Sequence, residues 1–355
     1  MYEWITAMKH SELRQDPATK EWVIIATERL GRGVVVNAEP GPAYDPNCPF
    51  CPRNELMTPK AVLRFPQDPD KIWQVRVVPD KFAAVSPEID PIKRDGFFRT
   101  MDGFGHHEIV IEHPEHNTDI PDMPVDHVAE ILKVCRRRQK NLSHDKAVRF
   151  VTVYRNHGTL AGASLSHPHS QILATPVVPE YARRKHEIAK LYHGSTQRCL
   201  YSEIFEAETS SGKRVVEENR SGVAFVPFAA FVPYEMWIMP REPHASFSHA
   251  TDHEMDGLAA VVRRSLARLR DCCGNVAYSL VIHSCGVGEE APYYRWHLEI
   301  TPRLTEPAGI ELGSHMFVNP MMPEECARQL REASPSVDIE GPVAAEIEGQ
   351  RKKVG

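Results

Sequence analysis

The chain has 355 residues and no run approaching the roughly 18 consecutive apolar residues of a membrane-spanning helix, so no such span is expected. It also lacks a basic surplus. Forty-two Lys and Arg face 48 Asp and Glu, and a net charge of −6 argues against a general nucleic-acid binder. A negatively charged substrate stays open, because a few arginines in one pocket can bind a phosphate. Cysteine is sparse as well. Eight in a chain of this length do not make a secreted disulfide scaffold, and Met1 to Gln15 carry no apolar stretch of the signal-peptide kind. A cytoplasmic protein with some thiols on metal and others free is the expectation. What the chain has in quantity is proline, 29 residues, implying many turns and short strands.

The length suits two modules or one domain built from two similar halves, and the halves do echo each other. Cys48-Pro49-Phe50-Cys51 opens the first pattern. A strand-like run His107 to Glu112 leads to His116, a helix is expected over Val125 to Ser143, and a strand Val148 to Tyr154 leads to His167 and His169. In the second half Cys199 to Ser202 takes the first place, and Tyr234 to Met239 leads to His244. A helix capped by Thr251 and Glu254 and a strand Ala277 to Ile282 then lead to His297. His116 and His167 lie 51 positions apart, His244 and His297 lie 53 apart. The expected fold is α+β, a duplicated unit of antiparallel sheet with flanking helices, divided as 1–175, 176–332 and a polar tail 333–355. Gln67 to Asp70 and Ser210 to Glu218 read as hairpins or loops.

Cys-x-x-Cys followed by two histidines is a tetrahedral zinc pattern. A redox pair or two buried thiols are the alternatives for Cys48 and Cys51 alone, but the repeat supplies His116 and His167 at matched places. One structural zinc at Cys48, Cys51, His116 and His167 is therefore expected. The second half offers Cys199, His244 and His297, with Ser202 where a second cysteine should stand. That site is either lost or completed by Glu203 or water.

His167-Pro168-His169 is matched by His297-Leu298-Glu299, so His169 is left as the free imidazole. Such a ring attacks phosphorus when one nitrogen is held by a hydrogen bond and the other keeps its lone pair. Gln171 shares the strand face of His169 and can donate to a phosphate oxygen. Ser164 and the turns at Gly158 and Gly162 can direct backbone N–H groups to the same phosphate.

From Arg14-Gln15-Asp16-Pro17-Ala18-Thr19 to about Leu330 the chain resembles the galactose-1-phosphate uridylyltransferase family of the histidine-triad superfamily. The residues that carry this are Cys48 to Cys51, Asn156 to Gln171, and Trp296 to Ile300. The resemblance implies a ping-pong reaction in which His169 takes a nucleotidyl group from a nucleoside-diphosphate sugar and passes it to a sugar 1-phosphate or to phosphate. It gives the His167 carbonyl the part of orienting His169, and Gln171 that of holding phosphoryl oxygens. Arg29 and Arg32 match the family's phosphate-binding arginines. Asp80 falls where relatives contact the nucleotide, with aspartate for the usual asparagine, and Asn156 belongs to the matched stretch. A homodimer is implied as well.

The chain departs from that pattern at Glu299, which replaces a histidine of the iron-and-zinc members, and at Lys185, where they carry glutamate. No iron site is expected. The leading reading is UDP-glucose:hexose-1-phosphate uridylyltransfer. The alternatives are an ADP-sugar phosphorylase working through the same covalent step and a metal-stabilised nucleotide-binding or hydrolase protein.

Overall fold

The structure, a computed structural model, describes residues 11–29, 41–68, 70–304 and 306–333. It begins with a hairpin, β1 (Glu12–Gln15) and β2 (Trp22–Ile25). The first half then supplies β3 (Leu63–Phe65), β4 (Val75–Pro79), the short pair β5 (Lys93–Arg94) and β6 (Thr100–Met101), and β7 (His106–Ile111). Helix α1 (Val125–Leu142), β8 (Phe150–His157) and β9 (His169–Thr175) complete it. The second half opens with two helices, α2 (Glu180–Thr196) and α3 (Leu200–Ser211), followed by β10 (Val215–Glu218), β11 (Gly222–Phe225) and β12 (Met236–Pro240). After these come α4 (Asp252–Cys273), β13 (Tyr278–His283), β14 (His297–Pro302), α5 (Gly309–Ser314), β15 (Phe317–Asn319) and α6 (Pro323–Glu332).

Ten strands form one antiparallel sheet in the order β10-β11-β12-β14-β13-β8-β9-β7-β4-β3. Outward from the β8–β13 seam, each half runs through the same sequence of connections, which is the geometry of a duplicated α+β unit. At the seam Tyr154 faces Val281. Tyr154 pairs on its other side with Gln171, and Val281 pairs with Glu299. β9 and β14 each begin at a histidine, His169 and His297, so aligning the strand starts makes these two equivalent, and Gln171 and Glu299 as well. The sequence pattern alone matches His297 with His167. The strand starts move that match by two residues, the same two by which the histidine spacings 51 and 53 differ, and make Arg295 the counterpart of His167.

Helices α1 and α4 pack together on one face of the sheet. α1 buries Val128, Ile131, Leu132 and Cys135, and α4 buries Leu258, Val261, Val262 and Leu266 in one large core. The α4 start carries the expected capping box, in which Thr251 accepts from the Glu254 N–H and Glu254 reaches back to the Thr251 N–H. The opposite face is covered unequally. Over the second half, Ala189 of α2 with Leu200 and Tyr201 of α3 pack on Val223, Phe225, Trp237 and Met239. Over the first half, among the described residues, Cys48, Phe50 and Cys51, with Trp73, Ala61 and Leu165, lie on Val78, Ile109 and Ile111.

One expectation is corrected. Ser210 to Glu218 is not a connection, since Ser210 and Ser211 end α3 and Val215 to Glu218 form β10. Cys199 caps α3 and Ser202 lies in its first turn. The division at 175/176 falls at the end of β9. The opening hairpin nevertheless sits with the second half: β2 pairs with β15, and Arg14 reaches Glu324 and the Phe228 carbonyl. The tail from 334 onward lies outside the described residues. No helix among the described residues is long and apolar enough to cross a membrane.

Candidate active site and metal cluster

β9 alternates its side chains between the two faces. Ile172 and Ala174 enter the helix-side core, and this directs His169 and Gln171 to the less covered face. His169 Nδ1 lies 2.8 Å from the His167 carbonyl oxygen, two residues back. Since a carbonyl only accepts, Nδ1 carries the hydrogen and Nε2 keeps its lone pair. Burial holds the His169 ring below its ordinary pKa, against the opposing pull of that hydrogen bond. The ring is thus neutral at neutral pH.

Gln171 is clamped by its oxygen. The Tyr154 hydroxyl donates to Oε1 at 2.8 Å, and His107 Nε2 lies 2.9 Å from the same atom. His107 Nδ1 accepts from the Ala84 N–H at 3.2 Å, which places its ring hydrogen on Nε2, toward Gln171. With its oxygen used twice, the amide points its NH2 group onto the open face. Asp80 stands beside this chain, 3.3 Å from His107 Nδ1, while its other oxygen accepts from the Phe82 N–H. Asn156 follows Tyr154 on the same face of β8, and Gly162, at φ +89°, turns the chain close to the Asn156 amide. Ser164 is exposed on the loop between that turn and β9. Arg29 ends a single helical turn, Thr27–Arg29. Arg32 lies outside the described residues.

Beneath the strand is a buried network that sequence reading missed. Glu112 accepts from Ser170 Oγ at 2.6 Å and from Arg155 Nε at 2.9 Å, and Arg155 also donates to Tyr278 and Asp119. These residues are far apart in sequence and are joined only by the β7–β9–β8 register, so no local motif announces them.

Next to His169, the ligand atoms of Cys48, Cys51, His116 and His167 all lie within 4.8 Å of one another, and all four residues are buried. His167 Nδ1 is 3.7 and 3.6 Å from the two sulfurs, and His116 Nδ1 is 3.5 Å from Cys51 Sγ. Each imidazole is held from behind, His167 Nε2 by the His113 carbonyl and His116 Nε2 by Ser166 Oγ, both at 2.8 Å. Such outer partners fix a ligating ring and its tautomer. Without a cation this set is poorly solvated: burial pushes the Cys48 thiol up to about 11 and lowers His167 to about 3. The cluster could hold a metal ion. Through the His167 carbonyl it is also joined to the His169 ring.

The second half does not repeat it. Cys199, His244 and His297 are not brought together. His244 faces Glu254, with 3.2 Å between Nε2 and Oε1. Arg295, at the place of His167, donates to the Pro240 and Arg241 carbonyls and stacks over Phe205. A guanidinium there replaces a ligand and repels a cation, which is the physical reason this metal site is lost.

His297 instead mirrors His169. It heads its strand and sets Nδ1 3.1 Å from the carbonyl of Arg295, two residues back. It is nevertheless sealed. Trp237, Tyr201 and His283 stack around the ring, and Nε2 is buried without a partner among the described residues. Glu299 takes the position of Gln171 and binds His283 at 2.9 Å, with Lys185 Nζ 3.9 Å away. The cover on this part of the sheet comes from α2 and α3, with Tyr201 of α3 stacked on the His297 ring.

A sheet of two matched halves, with a carbonyl-oriented imidazole on its less covered face, is thus the frame of the site. The sequence profile of the galactose-1-phosphate uridyl transferase N-terminal domain matches residues 1–179, and a domain of unknown function, DUF4921, matches residues 122–351. ADP-glucose phosphorylase of Arabidopsis thaliana is 31% identical over 91% of this chain and 93% of its own length. Galactose-1-phosphate uridylyltransferase of Thermotoga maritima is 30% identical over 90% and 98%. The crystal structure of the Arabidopsis thaliana ADP-glucose phosphorylase with bound ADP-glucose superposes with a TM-score of 0.80, covering 92% of this chain and all of that one at 31% identity. A uridylyltransferase structure, 28% identical, gives 0.71 over 91% and 98%. The chain belongs to the galactose-1-phosphate uridylyltransferase family, and it is an enzyme.

Proposed function

We propose that the protein transfers a nucleoside monophosphate from a nucleoside-diphosphate hexose to a phosphate-bearing acceptor through a covalent nucleotidyl-His169. The observation that carries this is the His169 ring, neutral, with Nδ1 tied to the His167 carbonyl and Nε2 unbonded and, unlike that of His297, not sealed from solvent. Nε2 attacks the α-phosphorus, a P–N bond forms, and the P–O bond to the hexose 1-phosphate breaks with its electron pair leaving on oxygen. The ring is then cationic, and the His167 carbonyl stabilises the Nδ1–H. The Gln171 NH2 group donates to a phosphoryl oxygen throughout. An acceptor phosphate oxygen attacks the same phosphorus, the P–N bond breaks, and His169 returns neutral. Asp80, Asn156 and Ser164 line this reading's nucleotide site, and Arg29 and Arg32 serve it as phosphate ligands by family resemblance.

Two donors compete. The uridylyl version, with UDP-glucose and a hexose 1-phosphate, is supported by the Thermotoga relative. The adenylyl version, with ADP-glucose and inorganic phosphate, is favoured by the higher structural likeness, 0.80 against 0.71. Incubation with each donor, labelled in the nucleotide, followed by a quench and peptide mapping, separates them. Acid-labile label on His169 is expected from the true donor. No labelled protein from either donor ends the covalent reading.

Zinc is our assignment for the cluster. Ligand bonds of about 2.3 Å to sulfur and about 2.05 Å to nitrogen at tetrahedral angles put S and N roughly 3.6 Å apart, against 3.5 to 3.7 Å here. Cys48, Cys51, His116 and His167 would hold it as a closed site that anchors the His167 backbone. None of the eight cysteines is in a disulfide, which suits a cytoplasmic, reducing setting. A homodimer belongs to the same reading, and the exposed rings of Phe82, Phe97 and Phe98 are apolar surface for a second copy to cover.

A further inference from the structure

α1 borders a second concavity, on the side of the sheet that carries the helices. A groove of about 950 Å³ continues into a cavity of about 330 Å³, and the two share walls at Arg64, Gln67, Arg137 and Asn141. The groove's cations are Arg64 from β3 and Lys133, Arg136, Arg137 and Lys140 from α1. Its carboxylates are Glu130 and Asp252. A helix returns to one face every three or four residues, so Glu130, Lys133, Arg137 and Lys140 form a stripe, with about 10 Å of rise from Lys133 to Lys140.

Part of this charge is spent within the protein. Lys133 pairs with Asp256, and Arg136 with Asp252 and the Ala250 carbonyl. The rest is not. Arg64 gives one guanidinium nitrogen to the Lys71 carbonyl, while its Nε is buried without an acceptor. Arg137 and Lys140 are exposed, and neither forms an ion pair among the described residues. In a chain of net charge −6, three cations without an ion pair among the described residues are thus gathered into one concavity, against one unpaired carboxylate, Glu130.

We propose that this groove is an anion site separate from the catalytic strand, and that it binds a small molecule carrying two or more linked phosphates. Guanidinium forks match phosphate oxygens in pairs. A stripe of about 10 Å is longer than one phosphate, which favours a linked chain. The groove also has the volume of small-molecule sites, about 300 to 1,000 Å³. Inorganic polyphosphate and the phosphate chain of a nucleotide share this chemistry.

The test is calorimetric titration of the full chain with tripolyphosphate and, separately, with ATP, at low and high salt. The variants are Arg137→Glu/Lys140→Glu, whose side chains are exposed, and Gln171→Ala on the catalytic face. We expect tripolyphosphate binding that weakens with salt. It should fall at least about tenfold, roughly 1.4 kcal/mol, on the double charge reversal, and should be unchanged by Gln171→Ala. Unaltered His169 labelling and circular dichroism would show the charge-reversal variant folded. ATP binding more tightly than tripolyphosphate assigns a nucleotide, and equal binding assigns the phosphate chain alone. The proposal is overturned by no binding at millimolar tripolyphosphate, or by binding lost in Gln171→Ala and kept in the charge reversal. Retention of a single-stranded oligonucleotide without tripolyphosphate binding overturns it as well.

Discussion

The Tyr154 hydroxyl donates to Gln171 Oε1 at 2.8 Å from the neighbouring strand, at the pair that flanks the seam between the two halves. Together with His107 it decides which end of the amide faces the open side of the sheet. In the proposed reaction a residue with no atom on substrate thereby aims one that has.

Replacing that tyrosine should slow chemistry without unfolding the sheet. Tyr154→Phe keeps the ring and removes one neutral hydrogen bond, worth about 0.5 to 1.5 kcal/mol, up to roughly tenfold in rate. Single-turnover labelling of His169 measures it. A variant that labels at the wild-type rate would show that His107 alone orients the amide.

The pH profile of the proposed labelling follows from the burial of His169. Burial lowers the folded-state pKa of His169 below its ordinary value, so the ring stays neutral as pH falls through about 6.5. The acid limb of the labelling rate should therefore lie below pH 6.5. The sign for stability is the reverse of a paired histidine. Above that pH neither folded nor unfolded ring binds a proton, and below it the unfolded chain binds one first, so acid destabilises the fold. An acid limb centred at or above pH 6.5 would contradict the first half of this statement.

Ser166→Ala removes the hydroxyl 2.8 Å behind His116. Loss of such an outer partner costs roughly 10- to 100-fold in metal affinity, and competition with a coloured chelator reads it directly. An unchanged zinc affinity would mean that the four ligands need no support.

Lys185 is 1% exposed, has no hydrogen bond, and lies 3.9 Å from Glu299. Lys185→Met leaves the Glu299 carboxylate with less compensation and should cost about 3 kcal/mol, in the range for breaking a buried pair. Glu299→Gln in the same chain should restore part of it. Denaturant unfolding of the four proteins of the cycle decides, and additive losses would reject the coupling.

Much of the site could be read from residue types. Cys48, Cys51, His116 and His167 have few ordinary uses together, and the order of features exposed the duplication. The register between halves could not be read, for a specific reason. Strand side chains alternate with period two, so matching His297 with His167 or with His169 preserves every inward and outward face. The strand starts and the contact of Nδ1 with the carbonyl two residues back, shared by His169 and His297, separate the two. Tyr154, His107, Ser166 and the Glu112–Arg155 pair went unnoticed because they act across strands, where spacing along the chain carries no signal. The cover over His297 depends on where α2 and α3 pack, which their own sequences do not state.

The β8–β13 seam can also be regarded as a subunit boundary that happens to lie inside one chain. A fragment ending at Thr175 would keep β3, β4, β7, β9 and β8 but leave β8 as an open edge, a template for pairing with another strand. Because the seam is close to two-fold, the edge fits its own copy: Tyr154 of one fragment would face Tyr154 of another where Val281 stood. Two fragments would then rebuild a ten-stranded sheet with an open His169 on each side. Sedimentation of residues 1–175 checks this, and a soluble fragment that remains monomeric would refute it.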